Sequence, residues 1–64
     1  MKTILLEDNQ EYIVAKEINN YLLLISTKDI TNYCIRKIIK KDNKEILTTL
    51  STDEEYEYAL RLMQ

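Results

Sequence analysis

Serine, threonine and cysteine are the side chains of this sequence that could act as nucleophiles, and each needs a neighbouring base to take its proton. Histidine, the usual base, does not occur. The single cysteine, Cys34, stands between Tyr33 and Ile35, a setting in which a free thiol behaves as a small buried hydrophobe. Carboxylates are plentiful at Glu7, Asp8, Glu11, Asp53, Glu54, Glu55 and Glu57. Hydrolysis by a carboxylate pair needs two of them held across a cleft at fixed separation. A calcium loop needs alternating oxygen ligands, a glycine and a closing glutamate. That spacing is missing, and so is glycine. The expectation is a chain with no catalytic residues, no metal site and no cofactor.

What remains is chemistry of association. Asp53, Glu54, Glu55 and Glu57 gather near the C-terminal end, with Tyr58 and Arg61 among them. Acids so concentrated can meet a basic groove on a protein partner, and tyrosine and arginine are common interface anchors. Arg36, Lys37, Lys40, Lys41 and Lys44 form the one basic run. In a strand, Arg36 and Lys40 point to one face and Lys37 and Lys41 to the other, so the charges are split rather than striped. An exposed hairpin end is expected there, with a nucleic-acid patch as the alternative. The net charge of −2 argues against tight, sequence-independent binding to phosphate backbones.

Several elements must position these groups. Polar breaks containing Asn separate the apolar runs: Asp8-Asn9-Gln10, Asn19-Asn20 and Asp42-Asn43. With no glycine in the chain, Asn is the residue left to adopt positive φ, and such breaks between β-branched or aromatic runs read as hairpins. Ser26 to Asn32 is longer and reads as a loop. From Ser51 the pattern changes. Ser51 with Glu54, or Thr52 with Glu55, fits a capping box. Asp53, Glu54 and Glu55 suit the positive end of a helix dipole. Tyr56, Ala59, Leu60 and Met63 then recur on one helical face.

These elements predict a single α+β domain over residues 1–64. About five short strands between residues 2 and 50 form an antiparallel meander, and one C-terminal helix over about 52–63 packs on one face. A chain of 64 residues buries only about 60% of its unfolded surface, which leaves little material for a deep water-excluded site. Its longest apolar run, Tyr21 to Ile25, is far too short to span a bilayer. The first residues reach Glu7 and Asp8 before a signal-like apolar region can form. One cysteine makes no intramolecular disulfide, so a reducing compartment, the cytoplasm, is expected.

One feature exceeds what a single helix can cover. Leu22-Leu23-Leu24-Ile25 is apolar on both faces of a strand, and the run from Tyr33 to Ile39 behaves similarly, with a bulge expected near Arg36-Lys37. Either Leu22, Leu24, Ile35 and Ile39 meet a partner or a second copy as a homodimer, or twist and loops cover them.

Glu11-Tyr12-Ile13-Val14 after an acidic turn, Tyr21-Leu22-Leu23-Leu24 after a polar turn, Cys34-Ile35-Arg36-Lys37, and Leu50 followed by Asp53-Glu54-Glu55-Tyr56 together resemble a pattern. It is that of a group of short uncharacterised proteins from low-GC Gram-positive bacteria and their phages. Members usually carry glycine in the turns where Asn9, Asn20 and Asn43 stand here. The resemblance implies the meander-plus-helix fold and a bacterial or phage host, and carries over no functional residue. By size, acidity and host type the chain is also similar to phage-encoded anti-CRISPR inhibitors. The expectation is therefore a non-catalytic, stoichiometric inhibitor with a larger protein partner, whose target is a nucleic-acid-processing defence system. The alternative is a small nucleic-acid-binding module using residues 36–44.

Overall fold

The computed structural model describes residues 2–64. Five strands, β1 (Thr3–Leu5), β2 (Glu11–Ile18), β3 (Tyr21–Ser26), β4 (Tyr33–Lys41) and β5 (Lys44–Thr48), precede one helix, α1 (Asp53–Met63). The strands pair antiparallel in chain order, β1-β2-β3-β4-β5, so the α+β meander expected from the sequence is the fold.

The turns show how a chain without glycine reverses direction. Positive φ occurs at Asn9, Asn19, Asn20, Asp42 and Asn43 and at no other described residue. Ile18 pairs with Tyr21 around Asn19-Asn20, and Lys41 with Lys44 around Asp42-Asn43. Two central residues at positive φ define the type I′ turn, whose twist matches that of the strands. The β1–β2 connection is a three-residue loop: the Asn9 amide donates to the Leu6 carbonyl, the Leu6 amide donates to Gln10, and Asn9 takes the left-handed position. Substituting Asn20, at φ 70°, by alanine is expected to cost about 1 kcal/mol, because alanine keeps the Cβ clash of left-handed backbone but lacks the short polar side chain that offsets it. Asn20→Gly should lie within about 1 kcal/mol of the parent. Urea unfolding of the two variants checks the order, and equal losses would mean that the turn does not require the conformation.

The helix begins where the sequence places its cap. The Thr52 hydroxyl accepts the Glu55 amide at 3.1 Å, and the Glu55 carboxylate accepts the Ser51 amide at 2.9 Å. This is the Thr52/Glu55 alternative, with the returning bond displaced by one residue from the cap itself. Ala59 and Met63 are buried against Tyr21 and Ile35, and Ile18, Leu23, Leu50, Tyr56, Leu60 and Leu62 complete this layer. The apolar stripe predicted for the helix therefore faces the sheet.

The opposite face is closed without a second layer. Tyr12, Leu22 and Leu24 form a second buried cluster with Ile4, Leu6, Val14, Cys34 and Ile38 around it, and Leu24 is fully inaccessible. Sheet curl accounts for this. Glu7, in the β1–β2 turn, reaches over β3 to pair with Arg36 of β4 at 2.7 Å, so one end of the sheet arches over its own surface. A bulge at Ala15, where the register shifts between Val14 and Lys16, adds local twist. Leu22, Leu24 and Ile35 are thus buried within one chain, and only Ile39, at 37% exposure, reaches the surface. Leu22 and Leu24 belong to one buried cluster and Ile35 to the other, so the residues that the sequence left open for self-association do not share one face. Nor is there a bulge at Arg36-Lys37, where the β3–β4 register is continuous.

Candidate binding surfaces

Among the described residues no group of three or more His, Cys, Asp or Glu side chains is placed to hold a metal ion. The acids of the first turn have structural partners instead. Asp8 accepts the Gln10 amide at 2.9 Å and the Tyr12 hydroxyl at 2.8 Å. Those bonds, the amide first, hold its carboxyl below the usual range and push the Tyr12 phenol up. Glu7 is the partner of Arg36. Cys34 is half-buried, and burial raises its thiol pKa, which removes rather than creates nucleophilic character.

The acidic helix divides into two sets of residues. Glu55 turns inward. Its carboxylate accepts the Ser51 amide, the Lys37 ammonium at 2.9 Å and the Tyr21 hydroxyl at 2.9 Å. Three donors on one carboxylate stabilise its ionised form, and its pKa falls to about 2, with the Ser51 amide the largest cause. Lys37 also lies 6.0 Å from the centroid of the Tyr21 ring, within cation–π range. Glu55 is therefore a clamp between helix and sheet, not a contact residue for a partner. At the other end of α1, Lys16 donates from β2 to the Met63 carbonyl at 2.7 Å. A cation placed there complements the negative end of the helix dipole and satisfies an orphan carbonyl.

Asp53, Glu54 and Glu57 are left exposed on the solvent side of α1, with Arg61 beside them. No ion pair joins Glu57 to Arg61 among the described residues, so these acids carry uncompensated charge. Tyr58 sits at the edge of that surface, toward the sheet. Its ring meets Tyr21 edge-on, with centroids 6.1 Å apart at 68°, and 46% of the residue stays exposed.

The basic run is dispersed, as the alternation of strand side chains requires. Arg36 is committed to Glu7 on one face and Lys37 to Glu55 on the other. Lys40, Lys41 and Lys44 remain, opposed by Asp42 and Glu45 in the same hairpin. β3 pairs with β4 only as far as Lys37, and β5 pairs with the rest. The β4–β5 hairpin therefore extends past the three-stranded body as a ribbon that exposes Ile39, Ile46 and Leu47.

Open clefts indent the described part of the molecule. One of about 260 Å³ is lined by Leu23, Ile25, Ile30, Tyr33, Leu60 and Met63. Another, of about 280 Å³, lies between Tyr33–Arg36 and the connection Leu50–Asp53, with Tyr56 at its base. A third, of about 540 Å³, lies at the β4–β5 ribbon, lined by Asn20, Lys37, Ile38, Ile39, Lys40 and Glu45. The sequence reading missed Lys16 and the second cleft. A lysine in a strand whose other inward residues are apolar is the signal that could have revealed the first. No helix of the described chain is long and apolar enough to cross a membrane. Comparison with protein-family models, with curated proteins and with solved structures finds no match.

Proposed function

We propose that this chain is a non-catalytic binding module that docks a larger protein stoichiometrically through the outer face of α1. The observation that supports this reading is the sorting of the helix acids. Glu55 is consumed internally, while Asp53, Glu54 and Glu57 are exposed and unpaired beside the half-exposed ring of Tyr58. Such a surface complements a basic groove, and the groove of a nucleic-acid-processing protein is the form of target it fits best. In its narrowest version the module is a phage-encoded inhibitor of a host defence system, with carboxylates standing where phosphates bind. The nucleic-acid-binding alternative is weakened by the commitment of Arg36 and Lys37 to internal ion pairs.

Parallel affinity capture from host lysate tests the reading. Wild-type chain and the K40A/K41A variant are expected to recover the same partner. The E54K/E57K variant should recover about tenfold less at low salt, because like charges then face the groove and association slows. Recovery by the wild type should also fall as salt is raised. A partner lost with the lysine variant and retained with the charge-reversed helix would overturn the assignment.

A further inference from the structure

The helix covers only part of its side of the sheet. Residues opposite one another in an antiparallel ladder share a face, and the register sets Ile13, Ile25 and Tyr33 in one row across β2, β3 and β4. Leu23, two residues from Ile25 and on the same face, belongs to the layer under α1, whereas Ile13, Ile25 and Tyr33 belong to neither core cluster. Leu5, opposite Glu11, continues the row obliquely onto β1. Ile30, 83% exposed, borders it from the β3–β4 loop. A contiguous apolar patch of this kind marks an interaction site on a soluble domain.

The dimensions of the row suit a helix. α1 crosses the strands, from Glu55 at Lys37 of β4 to Met63 at Lys16 of β2, and the row runs beside it. Ile25 stands about 6.6 Å along β3 from Leu23, close to the distance of about 8–10 Å between packed helices. From β1 to β4 is three strand spacings, about 14 Å, the length of about nine or ten residues of helix. The charge of the occupant follows from the flank of α1. Leu60 and Gln64 line the cleft of about 260 Å³ between α1 and the row. Asp53 and Glu57 lie on the same flank, since the four residues recur at i, i+4, i+7 and i+11. Both acids are exposed, and among the described residues neither has an ion-pair partner. Lys28 and Asp29 on the loop carry opposite charges, and Lys16 donates to the Met63 carbonyl, so the flank sets the sign. A second copy would bring the same acids to the interface.

We propose that this row receives an amphipathic basic helix of a protein partner, seated beside α1, with a bulky apolar side chain in the cleft and lysine or arginine along Asp53 and Glu57. Such a helix anchors through apolar residues at i, i+3, i+4 and i+7, and the flexible thioether of Met63 lets the cleft wall adapt to them. The site shares Asp53 and Glu57 with the outer face of α1 but is otherwise separate from it. The probe is an acetylated, amidated peptide of about 14 residues, leucine on one helical face and lysine elsewhere, titrated into the full chain and followed by methyl and amide NMR. Saturable shifts are expected at Ile13, Ile25, Ile30 and Leu60. The counterpart with glutamate for lysine should bind at least about tenfold more weakly. Ile30→Asn, at a position too exposed to disturb folding, should weaken binding about tenfold by removing apolar contact. Glu54→Gln, on the outer face, should stay within about twofold. Binding that is lost in Glu54→Gln and kept in Ile30→Asn would put the peptide on the outer face, overturning the proposal while leaving the docking role of that face intact. No saturable shift in the row, or equal affinity for the basic and acidic peptides, also overturns it. Shifts in the row that grow with protein concentration alone would assign it to a second copy and overturn it as well.

Discussion

Replacing Leu24 with alanine is expected to remove about 2–5 kcal/mol of stability. Leu24 is fully inaccessible at the middle of the central strand, packed with Tyr12 and Leu22 under the curled end of the sheet. A domain of 64 residues has roughly 3–10 kcal/mol in total, at about 0.05–0.15 kcal/mol per residue. The variant should therefore sit at the edge of folding at 25 °C. Urea unfolding followed by circular dichroism measures the loss. Leu5→Ala, at a position 65% exposed, serves as the surface control and should change stability by about 0.5 kcal/mol or less. A Leu24→Ala loss below 1 kcal/mol would mean that the curled face is loosely packed, and would reopen it as a surface.

The second large effect is a dependence of stability on acid. Glu55 has its pKa depressed from 4.5 to about 2 in the folded chain. A group depressed in the folded state contributes stability that is fully present above its unfolded pKa and is lost as pH falls through the folded one. The clamp should therefore be intact above about pH 4.5 and weaken progressively toward pH 2. Lys37 works in the opposite sense. Its pKa is raised by the hydrogen bond to Glu55, so its share is present below the ordinary lysine value and lost as alkali deprotonates it. Urea midpoints measured from pH 2 to pH 7 for the wild type and for Glu55→Gln isolate the clamp. Asp8 and Asp29, also depressed by local hydrogen bonds, titrate alike in both. The wild-type curve should fall more steeply below pH 4.5, and the gap between the two should have narrowed to a small remainder by pH 2. Parallel curves over the whole range would show that Glu55 does not tie helix to sheet.

Local chemistry made much of this architecture readable in advance. Asn in place of glycine marks the reversals, because few other residues tolerate left-handed backbone. The Thr52–Glu55 spacing and the stripe from Tyr56 to Met63 mark the helix, because capping and periodicity are properties of neighbouring residues. Long-range geometry was not readable. The doubly apolar run at Leu22–Ile25 shows that both faces are buried, but the arch from Glu7 to Arg36 joins residues 29 positions apart. Glu55 was hidden for a related reason. Capping and the helix dipole already account for an acid in the first turn, so nothing local distinguishes the carboxylate that turns inward to Lys37 from its exposed neighbours.

The order of the strands along the sheet also bears on how the chain finds its structure. Each strand pairs only with its neighbours in sequence, so every ladder can grow outward from the turn that joins it, and two of those turns have only two central residues. Loop-closure entropy is small for such contacts, which favours rapid assembly over a search through distant pairings. The chain contains no proline, so prolyl isomerisation, the commonest source of phases lasting tens of seconds, cannot delay it. The remaining non-local events are the arch that brings Glu7 to Arg36 and the docking of α1, held through Glu55 to β3 and β4 and through Lys16 to β2. Those contacts lock a hairpin assembly that local turns have already brought close to its final arrangement.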